Sequence, residues 1–115
     1  MAVGIFAGIA IRDIKAALPW YQRLLGGEPT FFPNDVEAVW QLADNCHVYL
    51  IQDPERAGGG VNMIWFDDPT TEVARIANDG LEPVDIEKHD PVWKYVFHDE
   101  DGNEIGIGGE VASGT

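Results

Sequence analysis

The sequence predicts an α+β fold made of two βαβββ modules, and three observations carry that reading. Strand-like apolar alternation is followed twice by a segment with helical apolar spacing. A glycine-rich linker divides the chain almost in half. Beyond the linker, the order of elements and several individual residues recur.

The first strand is Ile5–Ile11, where Ile5, Ala7, Ile9 and Ile11 share one face. Asp13 takes the N-cap position of a helix, its carboxylate free to accept from the first exposed amides. Ile14, Ala17, Leu18, Tyr21 and Leu25 then follow helical spacing, and Trp20 and Leu24 widen the apolar face. Pro19 falls on the opposite side and is expected to kink this helix. Gly26-Gly27 end it. Residues 28–32 read as a strand and Pro33-Asn34-Asp35 as a turn. Residues 36–42 and 47–52 read as a hairpin through Asp44-Asn45. Residues 53–60 form the linker.

The second half repeats this order. Residues 61–67 read as a strand, and Asp68-Pro69 as an N-cap followed by a first-turn proline. Val73, Ile76 and Ala77 give the second helix its buried face, and Gly80 stops it. At one constant offset Ile9, Ile11 and Asp13 recur as Ile64, Phe66 and Asp68. At an offset one residue shorter, Gly26, Glu28 and Pro29 recur as Gly80, Glu82 and Pro83. Strands follow near 83–86, 92–98 and 104–108. A long period present only twice indicates a duplicated unit and not a solenoid. The chain is read as one domain over residues 1–115, with module one at 1–57 and module two at 58–115.

Composition bounds the function. The 115 residues suit a single domain, and 45% hydrophobic content with four tryptophans supports a core. A net charge of -13 argues against a nucleic-acid or anionic-membrane partner, which would need a basic patch. The same acidity serves solubility, suits a high-salt source, or attracts a cationic ligand. Cys46 is the single cysteine, so no internal disulfide forms. The apolar N-terminal run lacks a basic flank and a cleavage site and is too short to span a bilayer, so the protein is read as cytoplasmic.

Three segments carry a family resemblance. They are residues 13–27 (DIKAALPWYQRLLGG), residues 97–107 (FHDEDGNEIGI) and the run Ile64-Trp65-Phe66-Asp67-Asp68. Over nearly its whole length the chain resembles the glyoxalase/bleomycin-resistance/extradiol-dioxygenase, or vicinal oxygen chelate, superfamily. Glu100 stands where that pattern usually has proline. The resemblance implies two curved modules pairing into an incomplete barrel around a ligand cavity. In the superfamily's enzymes it also implies a divalent metal held by His, Glu or Gln from four strands. The corresponding places here are Phe6, Val61 and Gly106, with Tyr49 as the fourth, or Gln52 if the register slips. Phe, Val and Gly offer no side-chain lone pair, so no metal site and no cofactor are expected. His47, His89 and His98 show no ligating spacing.

Alternation from those places defines the cavity face. It turns Phe6, Gly8 and Ala10 inward, then Val61, Met63, Trp65 and Asp67, and finally Glu104, Gly106 and Gly108. A two-residue hairpin loop at Asp44-Asn45 would set Trp40 opposite Tyr49, both inward, near His47. The expected ligand-binding set is therefore Phe6, Trp40, Tyr49, Met63, Trp65 and Glu104, with Gly8, Ala10, Gly106 and Gly108 leaving room. The side served by Trp93, Tyr95 and Phe97 stays open. No phosphate loop or nucleophile elbow is present, Cys46 has no activating cation, and no residue is assigned as catalytic. The expected function is metal-independent binding of a small molecule, similar to the drug-sequestering branch of the family, by a homodimer that covers its open sheet edges. The alternative is a lyase, isomerase or dioxygenase with displaced ligands, or with metal-free acid/base chemistry through Glu104 or Tyr49.

Overall fold

The computed structural model describes residues 1–111. Module one runs β1 (Ile5–Ile11), α1 (Ile14–Leu25), β2 (Phe31–Asn34), β3 (Glu37–Ala43) and β4 (Cys46–Gln52). Module two runs β5 (Val61–Trp65), α2 (Pro69–Asn78), β6 (Asp85–His89), β7 (Val92–His98) and β8 (Glu104–Glu110). Each module folds its strands into a four-stranded sheet, ordered β1-β4-β3-β2 and β5-β8-β7-β6. In both, the first strand pairs parallel with the last and the other pairs are antiparallel. The duplication seen in the sequence is thus a duplication of topology.

The helices begin and end where their capping residues sit. Asp13 accepts from the Lys15 amide at 3.0 Å, and Gly26 closes α1 in the left-handed conformation at φ 88°. The helix continues through Pro19, which lies on its exposed side. Asp68 caps α2 through the Thr71 amide and both threonine hydroxyls. Strand boundaries differ from the sequence reading most at β2 and β6, while β5 ends at Trp65 rather than at residue 67 and β8 runs on to Glu110. β2 starts at Phe31 and runs through Pro33-Asn34, and β6 starts at Asp85 rather than Pro83. Both are outer strands of their sheets, mostly exposed, so their apolar alternation carries little signal.

One shared core holds the modules together. It takes Ile9 and Ile11 from β1, Leu50 from β4, Tyr21 and Leu24 from α1, Ile76 from α2, and Phe97, Ile105 and Ile107 from β7 and β8. Each sheet therefore spends one face on a common helical layer and leaves the other open. The two sheets do not close on each other within the chain. Polar contacts add to the joint. Arg75 of α2 donates to the Leu24 and Arg23 carbonyls at 2.7 and 3.1 Å, answering the exposed acceptors at the end of α1. No helix among the described residues is long and apolar enough to cross a membrane.

Candidate ligand site

The strand registers show how the four places that the resemblance gives to metal ligands are arranged. β1 sets Phe6 beside His47 and Gly8 beside Tyr49. β5 sets Val61 beside Glu104 and Met63 beside Gly106. The patterns match, so Tyr49 is the counterpart of Gly106, and Gln52 is not a second candidate. The Gln52 side-chain oxygen instead accepts from the Ile14 amide at 3.0 Å. Phe6, Val61 and Gly106 have no donor atom to offer a metal. A methyl group built at Gly106 would meet the Lys94 stem at 2.7 Å, so any side chain there would require Lys94 to move. Among the described residues no three His, Cys, Asp or Glu side chains gather into a ligating cluster. The residues present do not fit the metal that the superfamily's enzymes use.

Five of the six residues read as ligand-binding lie on the open sheet faces. On the first sheet, Phe6 is 57% exposed and stacks on the His47 ring, centroids 4.2 Å apart and planes 9° from parallel. Tyr49 lies across Gly8 and borders a hollow of about 310 Å³ with Ala10, Ile51 and Arg56. On the second sheet, Met63 and Trp65 stand open, Trp65 at 53% exposure, beside the exposed Val61. Glu104 pairs with Lys94 at 2.7 Å, and that hydrogen bond holds the ammonium pKa above its ordinary value.

Trp40 is the exception. It is 4% exposed, and its indole nitrogen donates to the Gly27 carbonyl at 2.9 Å on the helix side of the sheet. The expected pairing with Tyr49 fails because the β3–β4 register shifts between Gln41 and Ala43. Trp40 pairs with Val48, and Tyr49 with Val39. A slip of one residue exchanges the two faces of a strand.

The glycines do not leave the expected gaps either. Tyr49 covers Gly8, Lys94 covers Gly106, and the Met63 sulfur reaches Gly108. Long side chains lie flat across these glycines and occupy the space that a Cβ would need. The open side of β7 is settled too. Tyr95 and Phe97 enter the core, which leaves Lys94 and His98 on the open face. Lys94 was missed as a site residue, and its signal was its alternation with that aromatic face.

Two further hollows flank the module joint. One, of about 370 Å³, borders Arg12, Tyr21, Asp99 and Asp101. Several of its polar groups are already paired, Tyr21 donating to Asp99 at 2.6 Å and the Arg12 amide to Asp101 at 3.2 Å. The other, of about 510 Å³, is mostly apolar and is bordered by Met63, Trp65 and His47 among others.

Twin βαβββ modules with duplicated sheet order define a protein of the vicinal oxygen chelate class. A glyoxalase/bleomycin resistance protein from Catenulispora acidiphila DSM 44928 is 37% identical, with a TM-score of 0.90 over 96% of this chain and 100% of its own. The chain belongs to the glyoxalase/bleomycin resistance protein family. Two more distant structures share the fold. A bleomycin-binding protein complexed with bleomycin is 15% identical, TM-score 0.73, over 96% of this chain and 100% of that one. A lactoylglutathione lyase from Agrobacterium tumefaciens is 16% identical, TM-score 0.73, over 94% and 92%. No protein-family model and no curated relative matches the chain.

Proposed function

We propose that this protein is a cytoplasmic, metal-independent binder of a small molecule, with a cationic ligand favoured by its net charge of -13. The observation that carries the reading is the chemistry of the metal places. They hold Phe6, Tyr49, Val61 and Gly106, on sheet faces that offer aromatic and thioether side chains to a ligand. A bleomycin-binding protein of the same fold is complexed with bleomycin, which supports a binding role. Glu104, one of the two acid/base candidates of the enzymatic alternative beside Tyr49, is held in its ion pair with Lys94. Metal analysis of protein purified without chelator tests the proposal. One tightly held divalent ion per chain would overturn it.

The open faces also motivate a homodimer. Phe6, Val61, Met63 and Trp65 are too large and too exposed to be left as an idle patch, and a second copy would cover them while enclosing the ligand. Sedimentation at micromolar concentration is expected to show twice the 12.7 kDa chain mass. A lone species at chain mass would count against the dimer.

Trp65→Ala tests the face itself. Half-exposed in the chain, Trp65 should cost well under the ~3–5 kcal/mol of a core tryptophan when truncated. Binding of cationic aromatic compounds, followed by tryptophan fluorescence with bleomycin among the probes, should weaken because stacking and cation–π contact are lost. A collapse in stability, or unchanged binding, would make Trp65 structural.

A further inference from the structure

We infer that the 510 Å³ cleft between the modules is a second ligand site, built to take a small apolar amine. This site is separate from the open sheet faces, although Met63 and Trp65 border both. Its other walls come from the helix-facing side of the first sheet (Ala7, Leu42, Val48) and from Ile64 and Phe66 of module two. These are core-type side chains with a hollow between them where close packing is the rule.

The fold's internal duplication explains why the hollow exists. At the opposite end of the joint, the turn between β7 and β8 reaches across to module one. Asn103 donates to the Ala10 carbonyl at 2.8 Å, and Asp99 accepts from the Tyr21 hydroxyl. The equivalent turn between β3 and β4 is only Asp44-Asn45, shorter than the five residues from Asp99 to Asn103. Among the described residues it makes no hydrogen bond to module two. One end of the joint is latched by a long turn. The other is left open over apolar walls.

The polar groups at the cleft choose the ligand class. No Lys or Arg borders it; Asn62 and His47 do, the His47 Nδ1 buried without a hydrogen-bond partner, and so does Asp67, exposed and without an ion-pair partner among the described residues. Trp65 and Phe66 immediately precede that residue in sequence and share the cleft. An ammonium group would be held by Asp67 and by the adjoining aromatic faces, with its apolar body against Leu42, Val48 and Ile64. A volume of about 510 Å³ is within the ordinary range for small-molecule pockets.

Calorimetric titration of the full chain with 1-naphthylmethylamine, 1-naphthylmethanol and 1-naphthoate tests the proposal. These share one apolar body and differ in charge. The amine is expected to bind about tenfold more tightly than the alcohol, and the carboxylate more weakly than either. Asp67→Asn should remove the amine's advantage and leave the alcohol unchanged. Ala7→Phe fills the cleft and should abolish the part of amine binding that Asp67→Asn also removes, while binding on the open sheet faces persists. If that variant does not fold, Ala43→Trp, at an exposed rim position, blocks the same opening without burying new bulk. Equal binding of amine and alcohol, or full binding by the blocked variants, would overturn the site. Phe6→Ala separates this site from the open faces. Amine binding lost in Phe6→Ala but kept in Ala43→Trp would place the ligand on the first sheet and sink the cleft. If Ala43→Trp turns a dimer into monomers, the cleft is an interface and the inference is equally overturned.

Discussion

Truncating Trp40 to alanine is expected to destabilise the protein by about 3–5 kcal/mol, the ordinary cost for a large aromatic removed from a packed interior. The side chain is 4% exposed and approaches Tyr21, ring centroids 6.4 Å apart, between the first sheet and α1. Its indole nitrogen also answers the Gly27 carbonyl just beyond the helix end, so truncation removes both an apolar wedge and a bond that fixes the chain after α1. Urea unfolding of wild type and variant, compared at unchanged slope, measures the loss. Ligand binding to the folded fraction should be unaltered. A loss below ~1 kcal/mol would mean that Trp40 lies on a ligand-facing surface after all.

The contrast between Trp40 and Trp65 shows what the sequence could and could not reveal. Alternation placed Trp65 on the open side of β5, because that strand is regular and paired without interruption to β8. The same reasoning put Trp40 on the wrong side. The irregularity between Gln41 and Ala43 shifts the register by one, and nothing in the residue types at that hairpin announces it. Duplication, helix caps and linker were legible because each rests on local chemistry: Asp13 and Asp68 at N-caps, Gly26 past a helix end, glycines between modules. The faces of β7 were not, since Trp93, Tyr95 and Phe97 would suit a cavity or a core equally well. Gly8, Gly106 and Gly108 suggested empty space, but Tyr49, Lys94 and Met63 lie across them. Where a long side chain comes to rest depends on a neighbouring strand, and one strand's sequence does not hold that information. The separation of the two sheets was equally hidden, because alternation defines an open face without saying what it will meet.

Asp99→Ala is expected to cost about 3–4 kcal/mol, since it leaves several inward-facing donors without an acceptor. The Asp99 carboxylate accepts from the Tyr21 hydroxyl at 2.6 Å, from the Asp101 and Asn103 amides at 2.9 Å each, and from the Asn103 side chain at 2.9 Å. Asn103 in turn reaches the Ala10 carbonyl, so one carboxylate organises the turn and ties module two to β1 and α1. Tyr21→Phe removes a single member of this group and should cost only ~1 kcal/mol. Tyr21 also gives the latch a pH signature. Burial first, then the Asp99 hydrogen bond and the nearby carboxylate charges, push its hydroxyl pKa far above the ordinary tyrosine range. In the unfolded chain the phenol ionises near ~10, while in the folded chain it keeps its proton. The unfolded state therefore binds fewer protons above that value, and stability falls as pH rises through and beyond it. Below it this contribution is fully present. Unfolding free energies collected from neutral to strongly alkaline pH should decline less steeply in Tyr21→Phe than in wild type. The residual slope belongs in part to Tyr95, whose hydroxyl is raised by burial alone. Parallel alkaline slopes in the two proteins, or an Asp99→Ala loss no larger than that of Tyr21→Phe, would show that this turn is not what joins the modules.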